Sequence, residues 1–361
     1  MRAAVLNEIP GNLEITDVET TAIGPNEVLI QTKAAGLCHS DLHFMEGKYP
    51  YFTPTVMGHE SAGIVEAVGE QVSYVQPGDH VITCLSVYCG ACEPCLTGHL
   101  TLCDDKESTQ RDMAGEQRLA LPDGSPVWQF QDMSSFAEQM LIHEHGLVKI
   151  DKDMPLDRAA LIGCGVTTGL GAVFNTAGVR PGETVAVIGC GGIGLNAIQG
   201  ARIAGAGRII AIDMLDNKLE LAKDFGATDT INGGATDAVM AVQEMTKGGV
   251  HYAFEAIGLA ATAQQAYSML RKGGTAVVIG MIPVGDSVSI HGAELLYEKT
   301  LTGSNMGSNR FRVDMPRYID LYLQGRLMLD ELVSQTITLD EINEGFDAMK
   351  QGSVARSVIT F

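Results

Sequence analysis

Positive charge is scarce in this chain: 24 Lys and Arg stand against 44 Asp and Glu, for a net charge of -20. A surface so poor in cations lacks the footprint that counterion release from a phosphate backbone requires, so nucleic acid is not an expected partner. Uninterrupted apolar runs of the roughly 18 residues that cross a bilayer are also missing. The opening "MRAAVLNEIPGNLEITDV" meets Pro10, Gly11 and charges too early for a secretory leader. These absences lead us to expect a cytoplasmic protein with no membrane partner. Cysteine, at eight residues in 361, is too sparse for a disulfide scaffold, yet five fall between 84 and 103, which points to metal binding in a reducing compartment. Internal repeats and low-complexity segments are absent as well. What is present is 45% apolar residues over a length sufficient for two domains, each with its own core.

Two textures divide the chain. Up to about residue 85, short β-branched runs broken by Gly and Pro, such as "NEVLIQTKAAG" and "GDHVITCLSV", read as antiparallel strands of a small barrel or sandwich. Residues 104 to 135, polar and holding the only tryptophan, Trp128, read as a long excursion rather than a core element. After about 165, apolar strands alternate with Ala-rich amphipathic segments, the mark of βαβ units and a parallel sheet. The end of the chain carries two helical stretches, "VDMPRYIDLYLQGRL" and "LDEINEGFDAMKQG", and a strand-like "ARSVITF".

In "CGACEPCLTGHLTLC", Cys89, Cys92, Cys95 and Cys103 are spaced C-x2-C-x2-C-x7-C. Two-residue gaps let thiolates converge on one tetrahedral ion, and four thiolates close its shell, so the spacing predicts a structural zinc. An iron–sulfur cluster uses the same ligands and is the alternative. Cys84, in an apolar run beside the motif, reads as a core residue.

In "VAVIGCGGIGLNA", Gly189, Gly191 and Gly194 form G-x-G-x-x-G between a strand and a helix, with Gly192 and Ile193 in the same turn. Asp213 ends the next apolar run, nineteen residues after Gly194, where an acid meets the adenosine ribose of a dinucleotide. Its charge repels a 2'-phosphate, which favours NAD over NADP. Lys218 is either a second ribose contact or a solvated helix lysine. Cys190 has no evident task.

Taken in order, "GHE" at 58 to 60, the four-cysteine loop, "GCGVTTGLGA" from 163 and "GCGGIGL" from 189 resemble the zinc-dependent medium-chain alcohol dehydrogenases, over essentially the whole chain. The resemblance implies an α/β protein. A GroES-like β-rich catalytic domain (1–165 and 306–361, with the structural-zinc loop 89–103) would accompany a Rossmann NAD-binding domain with a doubly wound parallel sheet (166–305). It implies catalytic-zinc ligands at Cys38, His59 and Cys164, and thus two zinc ions per subunit. It also implies roles for Glu60 beside the ligand histidine, for Asp41 as the acid fixing that histidine's tautomer, and for Ser40 and His43 in moving the alcohol proton to solvent. Thr168 is implied beside the nicotinamide, and Arg356 at the cofactor pyrophosphate.

His39 stands where many relatives carry arginine against that pyrophosphate; an imidazole is the weaker, pH-dependent anion partner, so looser and more pH-sensitive NAD binding is expected. Leu85 and Ser40 replace bulkier pocket residues of some relatives, which leads to an expectation of medium-sized or aromatic alcohols, primary or secondary, over ethanol. The alternative is a dehydrogenase of S-(hydroxymethyl)thiol adducts of the glutathione type. It needs cationic groups for the thiol's carboxylates, and Arg111 or Arg118 are candidates. The length of the 104–135 segment resembles the dimeric branch, so a homodimer is expected, with a tetramer as the other possibility.

Overall fold

The computed structural model describes residues 1–112, 115–352 and 354–361. They form two compact units, one of Met1–Cys164 with Arg310–Phe361 and one of Gly165–Asn309.

The first unit is built on the ten-residue strand Glu27–Gly36. Its inward side chains Val28 and Ile30 are fully buried with Val65, Val81, Met140 and Ile142. Antiparallel pairing with Ser61–Val68, Gln139–His143 and Arg356–Thr360 makes this strand the spine of a seven-stranded sheet. The C-terminal strand therefore closes a sheet begun near the N-terminus. A second, six-stranded sheet carries Arg2–Leu6 and Leu13–Asp17 at one end.

One expectation needs correction here, and one holds for a reason the sequence did not show. The polar segment 104–135 is not only an excursion: Leu119–Ala120 and Pro126–Gln129 pair as strands of the six-stranded sheet, and Leu119 and Val127 sit in an apolar cluster with Val5 and Val56. Strands of two and four residues are too short to show a period in the sequence. Conversely, Leu156–Ala177 is a continuous helical run of 22 residues, long and apolar enough by composition to cross a bilayer. Its apolar stretch is 83% buried inside the protein, so it is a core helix. The run alternates α-helical turns with π-helical ones at Ile162–Val166 and Ala172–Ala177.

The second unit is an all-parallel six-stranded sheet. Numbered by appearance within the unit, its strands lie in the order 3-2-1-4-5-6, the doubly wound arrangement of dinucleotide-binding folds. The first strand, Thr184–Ile188, is central and buried along "VAVI", as a strand covered on both faces must be.

Candidate active site and metal centres

"GLCHSDLH" folds as a strand end leading into the short helix His39–Met45, with Cys38 as its N-cap. Asp41, at the third helical position, turns back so that its Oδ2 accepts the Cys38 backbone N–H at 3.2 Å, and this holds the helix start. Its other oxygen, Oδ1, lies 2.9 Å from Nδ1 of His59. Asp41 and His59 are 0% and 1% exposed. One carboxylate thus caps a helix and fixes a histidine, whose Nε2 is left to face Cys164 Sγ at 3.2 Å.

Cys164 arrives from the π-helical turn Ile162–Val166, and the donor atoms of Cys38, His59 and Cys164 all lie within 4.8 Å of one another. Two thiols and an imidazole held Nε2-outward match a zinc site with one position left for a substrate oxygen. Electrostatics favour the thiolate at Cys38: the hydrogen bond from Cys164, with the charges of Arg356 and His59, holds it well below the ordinary thiol value despite burial. Burial disfavours charge on His59, but the Asp41 carboxylate and the Cys38 sulfur outweigh it and raise the imidazole.

Behind the ligands lies a second layer. Glu60 is fully buried, and its Oε2 stands 3.6 Å from Nη1 of Arg356. Arg356 is 4% exposed and donates to the Leu37 carbonyl at 3.0 Å. The structure therefore brings Arg356 to the metal ligands rather than leaving it as a surface group on the last strand. Ser40 Oγ lies 3.7 Å from Cys38 Sγ. His43, three residues on in the same helix, is half-buried with its Nδ1 unpartnered, and burial followed by Lys48 lowers its pKa. His39 is exposed.

Sequence reasoning missed an aromatic group at this site. The Phe130 ring is 5.9 Å from the His59 ring, and Phe44 and Tyr51 pack against Phe130 at 4.9 and 5.0 Å. The Tyr51 hydroxyl donates to the Gln129 carbonyl and accepts from Gln131 N, which fixes the turn behind the histidine. The cluster "YPYF" at 49–52 was the available signal; nothing in the local sequence ties it to Phe130.

In the four-cysteine loop the sulfurs also lie within 4.8 Å of one another. Backbone N–H groups of Ala91 and Cys92 point at Cys89 Sγ, both at 3.4 Å, and Cys89 N points at Cys103 Sγ at 3.3 Å. Hydrogen bonds from the Cys95 and Asp104 backbone pull the Cys92 thiol down to about 6. Cys84, by contrast, is fully buried and pushed up to about 11 by burial, as an inert core thiol should be.

In the second unit, Gly189 has φ +96° and Gly191 caps the helix Gly192–Ile203. A Cβ on Gly194 would collide with the Gly189 carbonyl oxygen, so the turn can be this tight only with glycine there. Gly192 and Ile193 form the helix's first turn, whose N–H groups suit a pyrophosphate. Asp213 ends its strand, and its Oδ2 accepts the Cys190 N–H at 2.8 Å, so the role of Cys190 belongs to its backbone. Its side chain is buried, and burial pushes the thiol up to about 12. Lys218 is half-buried in the helix Asp216–Asp224. Thr168 is buried, and its hydroxyl points to Met306 Sδ at 3.5 Å.

Comparison with known proteins agrees with this geometry. The pattern of the alcohol dehydrogenase GroES-like domain matches residues 24–152, and that of the zinc-binding dehydrogenase domain matches residues 192–324. The chain is 37% identical to the S-(hydroxymethyl)glutathione dehydrogenase of Paracoccus denitrificans, covering 100% of this chain and 99% of that protein. Its structure is similar to the alcohol dehydrogenase zinc-binding domain protein from Burkholderia ambifaria, with a TM-score of 0.95, 36% identity, and coverage of 100% of this chain and 98% of that one. It is likewise similar to the benzyl alcohol dehydrogenase from Acinetobacter calcoaceticus, with a TM-score of 0.94, 34% identity, and coverage of 100% and 99%. With a Cys-His-Cys donor set in one unit and a glycine turn answered by an aspartate in the other, this chain belongs to the zinc-dependent, NAD-linked alcohol dehydrogenases of the medium-chain family.

Proposed function

We propose that this enzyme oxidises a medium-sized or aromatic alcohol, primary or secondary, to its aldehyde or ketone, with Cys38, His59 and Cys164 holding the catalytic zinc and the four-cysteine loop holding a structural one. The observation that carries the substrate reading is the aromatic group of Phe130, Tyr51 and Phe44 packed against the ligand histidine, together with likeness to a benzyl alcohol dehydrogenase.

When bound, zinc supplies a Lewis acid that polarises the substrate oxygen, and NAD accepts the hydride. The protein's own groups handle the proton. Ser40, 3.7 Å from the ligand Cys38, would accept it from the substrate hydroxyl. His43, one helical turn on and with a free ring nitrogen, passes it towards solvent. Asp41 keeps the ligand imidazole in the tautomer that leaves Nε2 for the metal. Glu60 is proposed to assist ligand exchange. Asp213, with Lys218, would hold the ribose, the turn from Gly189 to Gly194 the pyrophosphate, with His39 as a further anion partner, and Thr168 would flank the nicotinamide; Arg356, paired with Glu60 and the Leu37 carbonyl, is not assigned to the pyrophosphate. A cytoplasmic homodimer remains part of this reading.

The thiol-adduct alternative has support from the relatives named S-(hydroxymethyl)glutathione dehydrogenase. The two arginines that would have served it are engaged elsewhere. Arg118 Nε donates to Glu27 Oε1 at 2.7 Å and Arg111 Nε to the same oxygen at 2.9 Å. Their Nη2 groups donate to the carbonyls of Thr109 and Ala22, and their Nη1 groups to Gln129 Oε1 and Thr21 Oγ1. The deciding experiment is an NAD-coupled assay of benzyl alcohol, hexanol and ethanol beside formaldehyde with and without glutathione. Benzyl alcohol or hexanol should show the highest kcat/KM. A larger value for ethanol, or formaldehyde turnover that requires the thiol, would overturn the reading.

A further inference from the structure

The strand Val250–Glu255 ends on a carboxylate that is 0% exposed. Glu255 Oε1 accepts three hydrogen bonds, from Ile257 N at 2.9 Å, Gly258 N at 2.8 Å and the Thr262 hydroxyl at 2.7 Å. Its backbone carbonyl accepts two more, from Ile279 N at 2.8 Å and Gly280 N at 3.1 Å. One residue therefore ties the turn after its own strand to the turn after the neighbouring strand, Leu270–Val278. The other carboxylate oxygen, Oε2, is buried with no hydrogen-bond partner and lies against Gly280, where a Cβ would stand 2.7 Å from it. A buried oxygen left unpaired is destabilising, and such exceptions persist where geometry serves something besides stability.

The tethered turn forms a wall of the glycine turn. Ala256 N donates to the Ile188 carbonyl at 2.9 Å, and a Cβ on Gly189 would stand 2.7 Å from Ile257 Cγ1. Strand order in this sheet reverses between Thr184–Ile188 and Val250–Glu255, and ligands of open α/β sheets bind beyond the carboxyl ends of the strands at that reversal. On the same turn, Ile257 and Leu259 are 42% and 49% exposed although apolar, the disposition of a surface that a ligand covers.

We propose that Glu255 is a positioning residue for the cofactor: it binds residues 256–258 and 279–280 into one shelf beside the glycine turn, so that NAD meets a preformed wall. This rests on the assignment of NAD as cofactor. Pre-organisation of this kind acts on cofactor affinity more than on the hydride step.

The test measures NADH binding by its fluorescence with the full-length enzyme, alongside thermal unfolding without cofactor and steady-state kinetics. Glu255→Ala should raise the NADH Kd about tenfold or more, with kcat falling by less than Kd rises, at temperatures far below the unfolding midpoint. Glu255→Gln keeps an acceptor at Oε1 and should recover most of the affinity. Should Glu255→Ala fail to fold, Thr262→Val removes a single bond to Oε1 and should weaken NADH binding about twofold to threefold. Native NADH affinity in the folded Ala variant, or in the Val variant if that one carries the test, overturns the proposal, as does a Gln variant no better than Ala. Wild-type enzyme that binds no NADH would instead sink the cofactor assignment, and this inference with it.

Discussion

The two cysteine centres of this protein are built by opposite means. In the loop 89–103 the four sulfurs come from fifteen consecutive residues, three of them are half-exposed, and backbone N–H groups supply the sulfur hydrogen bonds. At Cys38, His59 and Cys164 the ligands come from three distant places, all are buried, and side chains do the aiming: Asp41 on His59, and Glu60 with Arg356 behind. A centre made of local backbone can hold a metal in place but offers no group to tune its chemistry. A centre aimed by separate side chains can be tuned one residue at a time.

The sharpest way to break this comparison is to remove one ligand from each centre. His59→Ala should cut kcat/KM by about a thousandfold or more, and it also costs some stability because the Asp41 carboxylate stays buried without its partner. Cys95→Ala should lower the unfolding temperature and open the loop to protease while retaining far more activity than His59→Ala, since a closed thiolate shell contributes folding energy rather than chemistry. Metal analysis should find two zinc ions per chain in wild type and one in each variant. If Cys95→Ala silences the enzyme as completely as His59→Ala without lowering its stability, the division between the two centres is wrong.

A smaller effect is expected one layer out. Asp41→Asn keeps the shape but loses the charge that orients the ligand imidazole, and should cost about 10- to 100-fold in zinc affinity or activity. Zinc retention under chelator competition reads this directly. Retention equal to wild type would mean that the second layer does not tune the metal, and the contrast with the loop would lose its point.

The smallest effect on activity belongs to Glu27, far along its strand from the ligands. Burial opposes its charge, but Arg111 and Arg118 together bring its pKa from 4.5 down to about 2. A carboxylate with a depressed folded-state pKa stabilises fully above its unfolded value of 4.5, and that contribution disappears as pH falls through about 2. Glu27→Gln should therefore cost about 3 kcal/mol of stability at pH 7, with kcat/KM within a factor of about two of wild type. The gap between the two unfolding curves should narrow steadily below pH 4.5. A gap that stays constant down to pH 3 would show that the carboxylate charge is not what pins the long segment.

The same contrast explains what could be read from the chain. The four-cysteine loop and the glycine turn with Asp213 were legible because each is short and its spacing carries the geometry. The two-textured α/β fold was legible from strand–helix alternation. Cys38, His59 and Cys164 could be joined only through family resemblance, since no local rule links positions 38, 59 and 164. Phe130 was invisible because its approach to His59 depends on a turn with left-handed Gln131 and Asp132, which no residue preference announces. Glu255 carries no signal in the sequence, because its buried ties to two turns exist only in three dimensions. The strands at 119–120 and 126–129 were hidden by their brevity, and the long buried helix by the glycines that interrupt its apolar run.

The double use of Asp41 bears on which substitutions this position tolerates. The carboxylate that aims His59 is also the one that starts the helix, so a single side chain couples the local fold to the aim of a metal ligand. The same economy restricts drift at this position, because a replacement must satisfy a helix end and a metal ligand at once.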